Sequence, residues 1–209
     1  MILLTDLMSC FEGTEIYFPL GVEHILDLEG YDHMLFVVAL CALFLVKQWR
    51  EILVLITAFT IGHSITLALS VLDIVRFPSD IIEFLIPTTI FLTALNNLLR
   101  GDKSEVSQVK RLNYLLALVF GFIHGMGFSN FLRGMLGESD CLTGPLLLFN
   151  LGIEAGQLVI VAVAMLVNGL IYLALVEGLK KPYRWWQLLL SGAVALFSLY
   201  MMWETGKGL

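Results

Sequence analysis

The sequence predicts an all-α integral membrane protein, a polytopic helical bundle of about six transmembrane helices with both termini extracytoplasmic. Of its 209 residues, 58% are hydrophobic and 14% are charged, whereas soluble domains average about 45–50% and about 25%. Apolar runs of about 20 residues, the length that a helix needs to cross a bilayer, recur along the chain. We therefore expect residues 1–209 to form a single transmembrane domain, in which an acidic extracytoplasmic segment (1–29) precedes a six-span bundle (30–203).

The six predicted spans are bounded by charged or proline-containing segments between the apolar runs. They are residues 30–46, 51–72, 79–99, 112–131, 145–176 and 185–203. The fifth run, at about 32 residues, is longer than a bilayer needs, so it must tilt, break or project into water.

The distribution of basic residues orients the bundle. Nine of the 12 Lys and Arg residues fall in alternate loops, which the positive-inside rule assigns to the cytoplasm. The opposite side carries only Arg76, Arg133 and Lys207. We expect a multi-pass protein of a bacterial-type inner (cytoplasmic) membrane, with the lipid bilayer as a partner. Cys10 and Cys141 both fall on the outer side, and whether they pair is left open.

Charge and cysteine content exclude two classes of function. A net charge of −6 with 12 basic residues does not fit a nucleic-acid-binding protein, so we expect no nucleic-acid partner. Three cysteines without a CxxC pair do not fit a zinc ribbon or a dithiol redox motif. The oligomeric state, a homo-oligomer included, is left open.

Three of the four histidines fall at one predicted depth in the membrane. Counted from the cytoplasmic ends of their spans, His33, His63 and His124 all lie about 18–20 Å deep at about 1.5 Å per residue. Ionisable groups at membrane depth are costly and usually mark a functional site. Asp32 adjoins His33, and Glu154 approaches the same layer from the outer side.

Imidazoles and carboxylates at one depth predict a site for a divalent transition-metal ion. These donors suit Ni, Co, Zn or Fe(II), and the sequence places no Cys or Met cluster there for Cu(I). Polar side chains within about a turn are expected to orient the imidazoles; these are Thr60, Ser64, Asn150 and Gln157. Glu154 is left open as a ligand, a general base or a hydrogen-bond partner of a histidine.

His24 comes nine residues before His33, ahead of the first predicted span. On one continuous helix, nine residues place two side chains about 180° apart. Either the helix breaks near Gly30, or His24 does not join the metal ligands.

The residues of this site lie in four ordered motifs. They are GVEHIL followed by GYDHMLF (21–36), TAFTIGHSITL (57–67), FGFIHGMGFS (120–129) and FNLGIEAGQ (149–157). Together they resemble the HupE/UreJ family of membrane proteins. That family is associated with hydrogenase and urease accessory genes and is described as nickel- or cobalt-permease-like. The resemblance implies metal handling, with the His and Asp residues of the motifs as the metal-binding residues.

Two functions of different classes fit such a site. Transport or delivery of the metal needs a polar route to both sides of the membrane, but residues 37–46 are wholly apolar. The obvious polar residues for an inner route are Thr57, Asn96, Asn97 and Asn168. An intramembrane metal-dependent hydrolase would act on a lipid or membrane-embedded substrate, with Glu154 or Asp32 moving protons. A metal that only stabilises the bundle is a third interpretation, and the family resemblance favours transport.

Overall fold

The computed structural model describes residues 10, 14–28, 30–99, 106–136 and 141–208. Within these ranges the chain forms helices and no strand, which confirms the all-α prediction. The helices are α1 (Tyr17–Leu26), α2 (Asp32–Cys41), α3 (Trp49–Val71), α4 (Ser79–Leu99), α5 (Val106–Gly127), α6 (Ser129–Leu136), α7 (Thr143–Tyr172) and α8 (Arg184–Gly206). A 3-10 turn (Val46–Gln48) leads into α3, and a π-helical turn (Leu173–Gly178) extends α7.

Four helices in the described ranges are long and apolar enough to cross a membrane: α3, α4, α8, and α7 together with its π-helical turn. They coincide with the predicted second, third, sixth and fifth spans. The predicted count of six is not confirmed. α5 covers most of the predicted fourth span, and at 22 residues it has the length, about 33 Å, but it is not one of those four helices.

The first predicted span, residues 30–46, contains a much shorter helix than expected. α2 has ten residues, about 15 Å, which is half of the hydrocarbon core of a bilayer. α1 also has ten residues, and the two helices are separated by the segment that contains Gly30. The helix therefore breaks between His24 and His33, which is the first of the two alternatives that the sequence left open.

Side chains from two helices that are distant in sequence donate hydrogen bonds to backbone carbonyls at the buried end of α2. The last four carbonyls of a helix have no partner within it. Asn97 on α4 donates from Nδ2 to the carbonyl of Ala39 at 2.7 Å. Asn168 on α7 donates to the carbonyl of Cys41 at 2.9 Å, and its Oδ1 accepts from the indole of Trp186 at 2.9 Å. Two of the polar residues expected along an inner route therefore cap the end of a half-length helix.

Glycines let two pairs of helices approach to backbone contact. A Cβ atom at Gly121 on α5 would collide with the carbonyl oxygen of Phe59 on α3. A Cβ atom at Gly152 on α7 would likewise collide with the carbonyl oxygen of Phe18 on α1. These are close crossings of the kind that small residues permit in membrane bundles. They pair α3 with α5 and α1 with α7, the two most extensive helix contacts in the described chain.

A disulfide between Cys10 and Cys141 ties the segment before α1 to the start of α7, so the pairing left open by the sequence is present. Cys41 is a buried free thiol in α2. Several charged residues used in the topology prediction lie outside the described residues; these are Asp6, Glu12, Glu29, Arg100 and Lys103.

Candidate metal centre

Four histidine rings converge where α1, α2, α3 and α5 meet. The ring centroid of His33 lies 4.1 Å from that of His124 and 4.7 Å from that of His24. The His24 and His63 centroids are 6.3 Å apart. His33, His63 and His124 are each exposed by 3% or less. The fold thus gathers all the histidines of the chain into one buried cluster.

Glycines beside two of these histidines explain the convergence locally. A Cβ atom at Gly62, next to His63, would press against the carbonyl oxygen of Leu118 on α5. A Cβ atom at Gly125, next to His124, would collide with the carbonyl oxygen of His63. The two imidazoles are therefore carried by backbones that touch at the level of the rings.

Asp32 links two of the rings. Its Oδ2 lies 3.0 Å from Nε2 of His124. Its Oδ1 accepts the backbone N–H of His33 at 2.8 Å and lies 2.9 Å from Nδ1 of the same residue, although this second contact lacks hydrogen-bond geometry. Donor atoms of Asp32, His33 and His124 all lie within 4.8 Å of one another. Since metal–nitrogen and metal–oxygen bonds are about 2.0–2.2 Å long, one ion can be bound by all three with small adjustments.

Three buried ring nitrogens in this cluster have no polar contact among the described residues: Nε2 of His24, Nε2 of His33 and Nε2 of His63. Buried polar atoms are nearly always paired, and leaving one unpaired costs about 1–3 kcal/mol. A metal ion that accepts imidazole lone pairs would satisfy several of them at once. The donor set of neutral nitrogens and one carboxylate therefore fits a divalent transition metal.

A partner on α7 determines which nitrogen of His63 carries the hydrogen and which is left free. Nδ1 of His63 lies 3.3 Å from Oδ1 of Asn150, whose Nδ2 donates to the carbonyl of Leu146 at 2.7 Å. Because that carbonyl can only accept, the Asn150 oxygen must face the ring, and Nδ1 of His63 must donate. The lone pair of His63 is then on Nε2, on the unpartnered side of the ring.

Three phenylalanines close one side of the cluster. Phe36, Phe59 and Phe120 are exposed by 1% or less, and each lies about one turn along its helix from His33, His63 or His124. The centroids of Phe36 and Phe120 are 3.6 Å apart, and Phe120 lies 4.1 Å from His124. The chain provides an apolar wall here, towards the N-terminal ends of α3 and α5.

A cavity of about 420 Å³ opens on the opposite side. Its lining includes His24, Asp32, His33 and His124. Further out it is lined by residues from the end of α3, the segment after it, the start of α4, and α6, namely Ser70, Arg76, Ser79, Glu83, Ser129 and Arg133. The candidate metal ligands therefore line a cavity that extends from the histidine cluster towards the end of α3 and the start of α4.

A family model described as HupE / UreJ protein matches residues 5–205. The chain belongs to the HupE/UreJ family. Membership confirms the resemblance carried by the four motifs, and it implies a nickel- or cobalt-related accessory function in the membrane. Comparisons with curated proteins and with solved structures find no match.

Other polar residues predicted around the HupE/UreJ metal site have different partners. Oε1 of Glu154 accepts from the hydroxyl of Thr57 at 3.0 Å. The group whose donor atoms lie within 4.8 Å of one another does not include Glu154, His24 or His63. The hydroxyl of Thr60 donates to Gln157 at 3.1 Å, and that of Ser64 donates to the carbonyl of Thr60 at 2.7 Å. Of the predicted orienting residues, Asn150 is the one with a hydrogen bond to a histidine among the described contacts.

The mouth of the cavity carries an ion-pair group that the sequence did not reveal. Arg76 donates from Nε and Nη2 to the Asp73 carboxylate, and this bond holds the pKa of Asp73 below its usual value. Arg133 donates from Nη1 to Asp73 at 3.4 Å and from Nη2 to the carbonyl of Ser70. The sequence places both arginines on one side of the membrane, but nothing in it indicates that they line the cavity above the metal site.

Proposed function

We propose that this HupE/UreJ protein takes up a divalent transition-metal ion from the outer face of a bacterial-type inner membrane and transports or delivers it. The main supporting observation is the group of Asp32, His33 and His124, whose donor atoms lie within 4.8 Å of one another and which line a cavity of about 420 Å³. The ion is cargo in this proposal, so its ligands must also release it. A site of three protein ligands and open positions suits exchange better than a closed four-ligand site.

The donor chemistry narrows the choice of metal. Imidazole nitrogen with carboxylate oxygen suits Ni, Co, Zn or Fe(II). Soft ligands, which Cu(I) prefers, are not offered by the described cysteines, because Cys10 and Cys141 are paired and Cys41 is buried in α2. Family membership favours nickel or cobalt among the four.

Two independent features support entry from outside the cytoplasm. The positive-inside rule assigns to the cytoplasm the segments that hold nine of the 12 basic residues. Of these, Arg50 at the start of α3 and Arg184 at the start of α8 lie at helix ends away from the cavity mouth. The Cys10–Cys141 disulfide is of the kind that persists in oxidising, extracytoplasmic compartments. Both features are consistent with extracytoplasmic termini.

Elemental mass spectrometry of detergent-purified protein tests the binding step. Wild type is expected to carry about one ion per chain, since the donor group suits a single ion. His33→Ala, His124→Ala and Asp32→Asn should each lose most of it. Asp80→Asn, an exposed carboxylate at the start of α4, is the matched control and should keep it. Unchanged metal content in all three site variants would exclude this site.

The transport step needs a second measurement. Proteoliposomes that enclose a metal-sensitive dye should respond to external Ni²⁺ when they contain wild type and should not respond when they contain Asp32→Asn.

Two half-length helices, α1 and α2, meet at the site, as broken helices do in many transporters. Movement of α2 would have to displace the phenylalanine wall formed by Phe36, Phe59 and Phe120 for the ion to pass.

A second candidate function is an intramembrane metal-dependent hydrolase. The phenylalanine wall and the Asn97 and Asn168 caps of α2 involve residues that do not line the cavity, so a substrate that enters and leaves through the cavity also fits the site. A resident divalent ion would polarise the substrate and its water, and Asp32 would accept a proton. Appearance of lipid hydrolysis products with metal-loaded wild type, but not with Asp32→Asn, would favour this function over transport.

A further inference from the structure

The cavity above the metal-binding group is much larger than a bare ion requires. Its volume of about 420 Å³ is in the range of small-molecule sites, about 300–1,000 Å³. The histidines and Asp32 occupy one end, and the rest of its lining brings charged and hydroxyl groups from three other segments. The lining therefore has polar groups that a single metal ion does not explain.

Arg133 on α6 lines this cavity. Its Nη2 and Nη1 are held by the carbonyl of Ser70 and the carboxylate of Asp73. Its Nε is buried and has no partner in the described chain, but the side chain is 32% exposed, and this exposed part is what a ligand in the cavity can reach. A guanidinium fixed from one side in this way presents a preorganised donor, and carboxylate or phosphate oxygens are the acceptors that match it.

Arg76 adds a second guanidinium to the same lining. Its Nε and Nη2 are held by Asp73, and its side chain is 71% exposed. Asp73 thus anchors both arginines with a single negative charge, so the three side chains together keep a net positive charge. A mobile oxyanion would complete the pairing.

Two helix N-termini reinforce this positive region. α4 begins at Ser79 and α6 begins at Ser129, and both residues line the cavity. The first N–H groups of a helix have no partner within it, and its dipole favours an anion there. Glu83 in the outer lining offsets the excess positive charge of the Asp73, Arg76 and Arg133 group, so an oxyanion would be bound here by the guanidinium and helix N–H donors and not by net charge.

We propose that the outer part of this cavity binds an oxyanion, a carboxylate or phosphate group, next to the metal ion. The inference rests on the proposed metal site and adds that the ion is handled together with an anionic ligand. Arg76 and Arg133 bind the oxyanion, and Glu83 weakens that binding. The oxyanion comes either from a soluble chelator or phosphate in the surrounding water, or from a lipid headgroup, because Phe77 at the cavity is an exposed apolar residue suited to the membrane interface.

The test measures anion binding and metal binding separately on purified full-length protein. Citrate and inorganic phosphate are titrated calorimetrically into Ni²⁺-loaded wild type, Arg76→Gln and Glu83→Gln. Loss of one charge-assisted hydrogen bond should weaken anion binding about tenfold in Arg76→Gln. Removal of the opposing charge should strengthen it about threefold in Glu83→Gln. Arg50→Gln, at the start of α3, is the control and should change neither.

Arg133 is tested by two substitutions, since it also holds the end of α3. Arg133→Gln should abolish anion binding, and Arg133→Lys should keep part of it because the charge remains. If Arg133→Lys binds anion as poorly as Arg133→Gln while Arg76→Gln has no effect, the proposal is wrong. The proposal is also wrong if Glu83→Gln weakens the binding of citrate or phosphate and Arg76→Gln strengthens it. Changes in those directions would mean that the mouth of the cavity binds cations.

Nanodiscs distinguish the two sources of the oxyanion. If a lipid phosphate is the ligand, protein in discs that contain phosphatidylglycerol should be more heat-stable than in phosphatidylcholine discs, and Arg76→Gln should abolish the difference. If a soluble anion is the ligand, the two discs should give equal stability and citrate or phosphate should raise it. No effect of any of these anions overturns the proposal. Ni²⁺ binding in anion-free buffer, measured in parallel, reports on the proposed function alone.

Discussion

The amide oxygen of Asn150 lies 3.3 Å from Nδ1 of His63 and fixes the hydrogen on that nitrogen. This one contact between α7 and α3 decides which nitrogen of His63 faces the cluster. It also joins the two close helix pairs, α1 with α7 and α3 with α5, at the level of the metal-binding group. Asn150 is therefore expected to act on metal binding through His63.

If Nε2 of His63 is a fourth ligand beside the Asp32, His33 and His124 group, replacing Asn150 with Leu should weaken metal binding about 10- to 100-fold, the range typical of lost partners of metal-bound histidines. The ring of His63 would then be free to turn and to change tautomer. Competition with a fluorescent chelator measures the change. Gln157→Leu is the matched control on the same helix, because the hydrogen-bond partner of Gln157 is Thr60 and not a histidine, and the metal affinity of this variant should stay within about threefold of wild type. Equal losses in both variants would contradict a specific role for Asn150.

Gly121→Ala should lower both stability and metal content. The added Cβ atom would collide with the carbonyl oxygen of Phe59, and forcing two packed helices apart typically costs about 1–3 kcal/mol. Separation of α3 and α5 would also move His63 away from His124. Gly192→Ala on α8 is the control, because a Cβ atom there meets nothing within 4 Å. A fluorescence-based melting curve and metal analysis of both variants provide the check, and equal melting temperatures would contradict the close crossing.

The sequence predicted much of this site because its signals are local. Depth counted along each apolar run brings His33, His63 and His124 to one level. The position of His24 was undecided. On a continuous helix His24 and His33 would point in opposite directions, whereas a break near Gly30 lets both point into one cluster. Only the structure distinguishes them, by separating α1 from α2.

The end of α2 could not be predicted from its own residues. The run from residue 37 to 46 is apolar throughout, and a half-length helix buried in protein and a full membrane span both require that pattern. What ends the helix is a pair of amides, Asn97 and Asn168, which are 58 and 127 residues away from the carbonyls that they bind. The ion-pair group at the cavity mouth could not be predicted for a similar reason. Arg76 and Arg133 both bind Asp73, and only the fold brings these three residues together.

Asn168→Leu should destabilise the fold without removing the metal. The substitution leaves the indole N–H of Trp186 without its partner, at a cost of about 1–3 kcal/mol. It also removes one of two donors to the carbonyl of Cys41, which keeps its bond from the N–H of Phe44. Neither Cys41 nor Trp186 is in the metal-binding group. Ser198→Ala is the control, because that buried hydroxyl bonds only within its own helix, to Val194 at 2.8 Å, and its loss should have little effect. If Asn168→Leu loses metal at a temperature where the protein stays folded, the prediction is wrong, and the hydrogen bonds of Asn168 at the end of α2 affect the metal site directly.

Thiol labelling should show Cys10 and Cys141 paired in native membranes. A maleimide reagent is expected to label neither of them before reduction and both after it, while Cys41 stays buried in α2. Cys41→Ala should therefore leave the pattern unchanged. Because disulfides persist only in an oxidising compartment, protection before reduction also assigns the start of α7 to the outside. Labelling of Cys10 and Cys141 without reductant would reverse that assignment, and with it the side from which the metal enters.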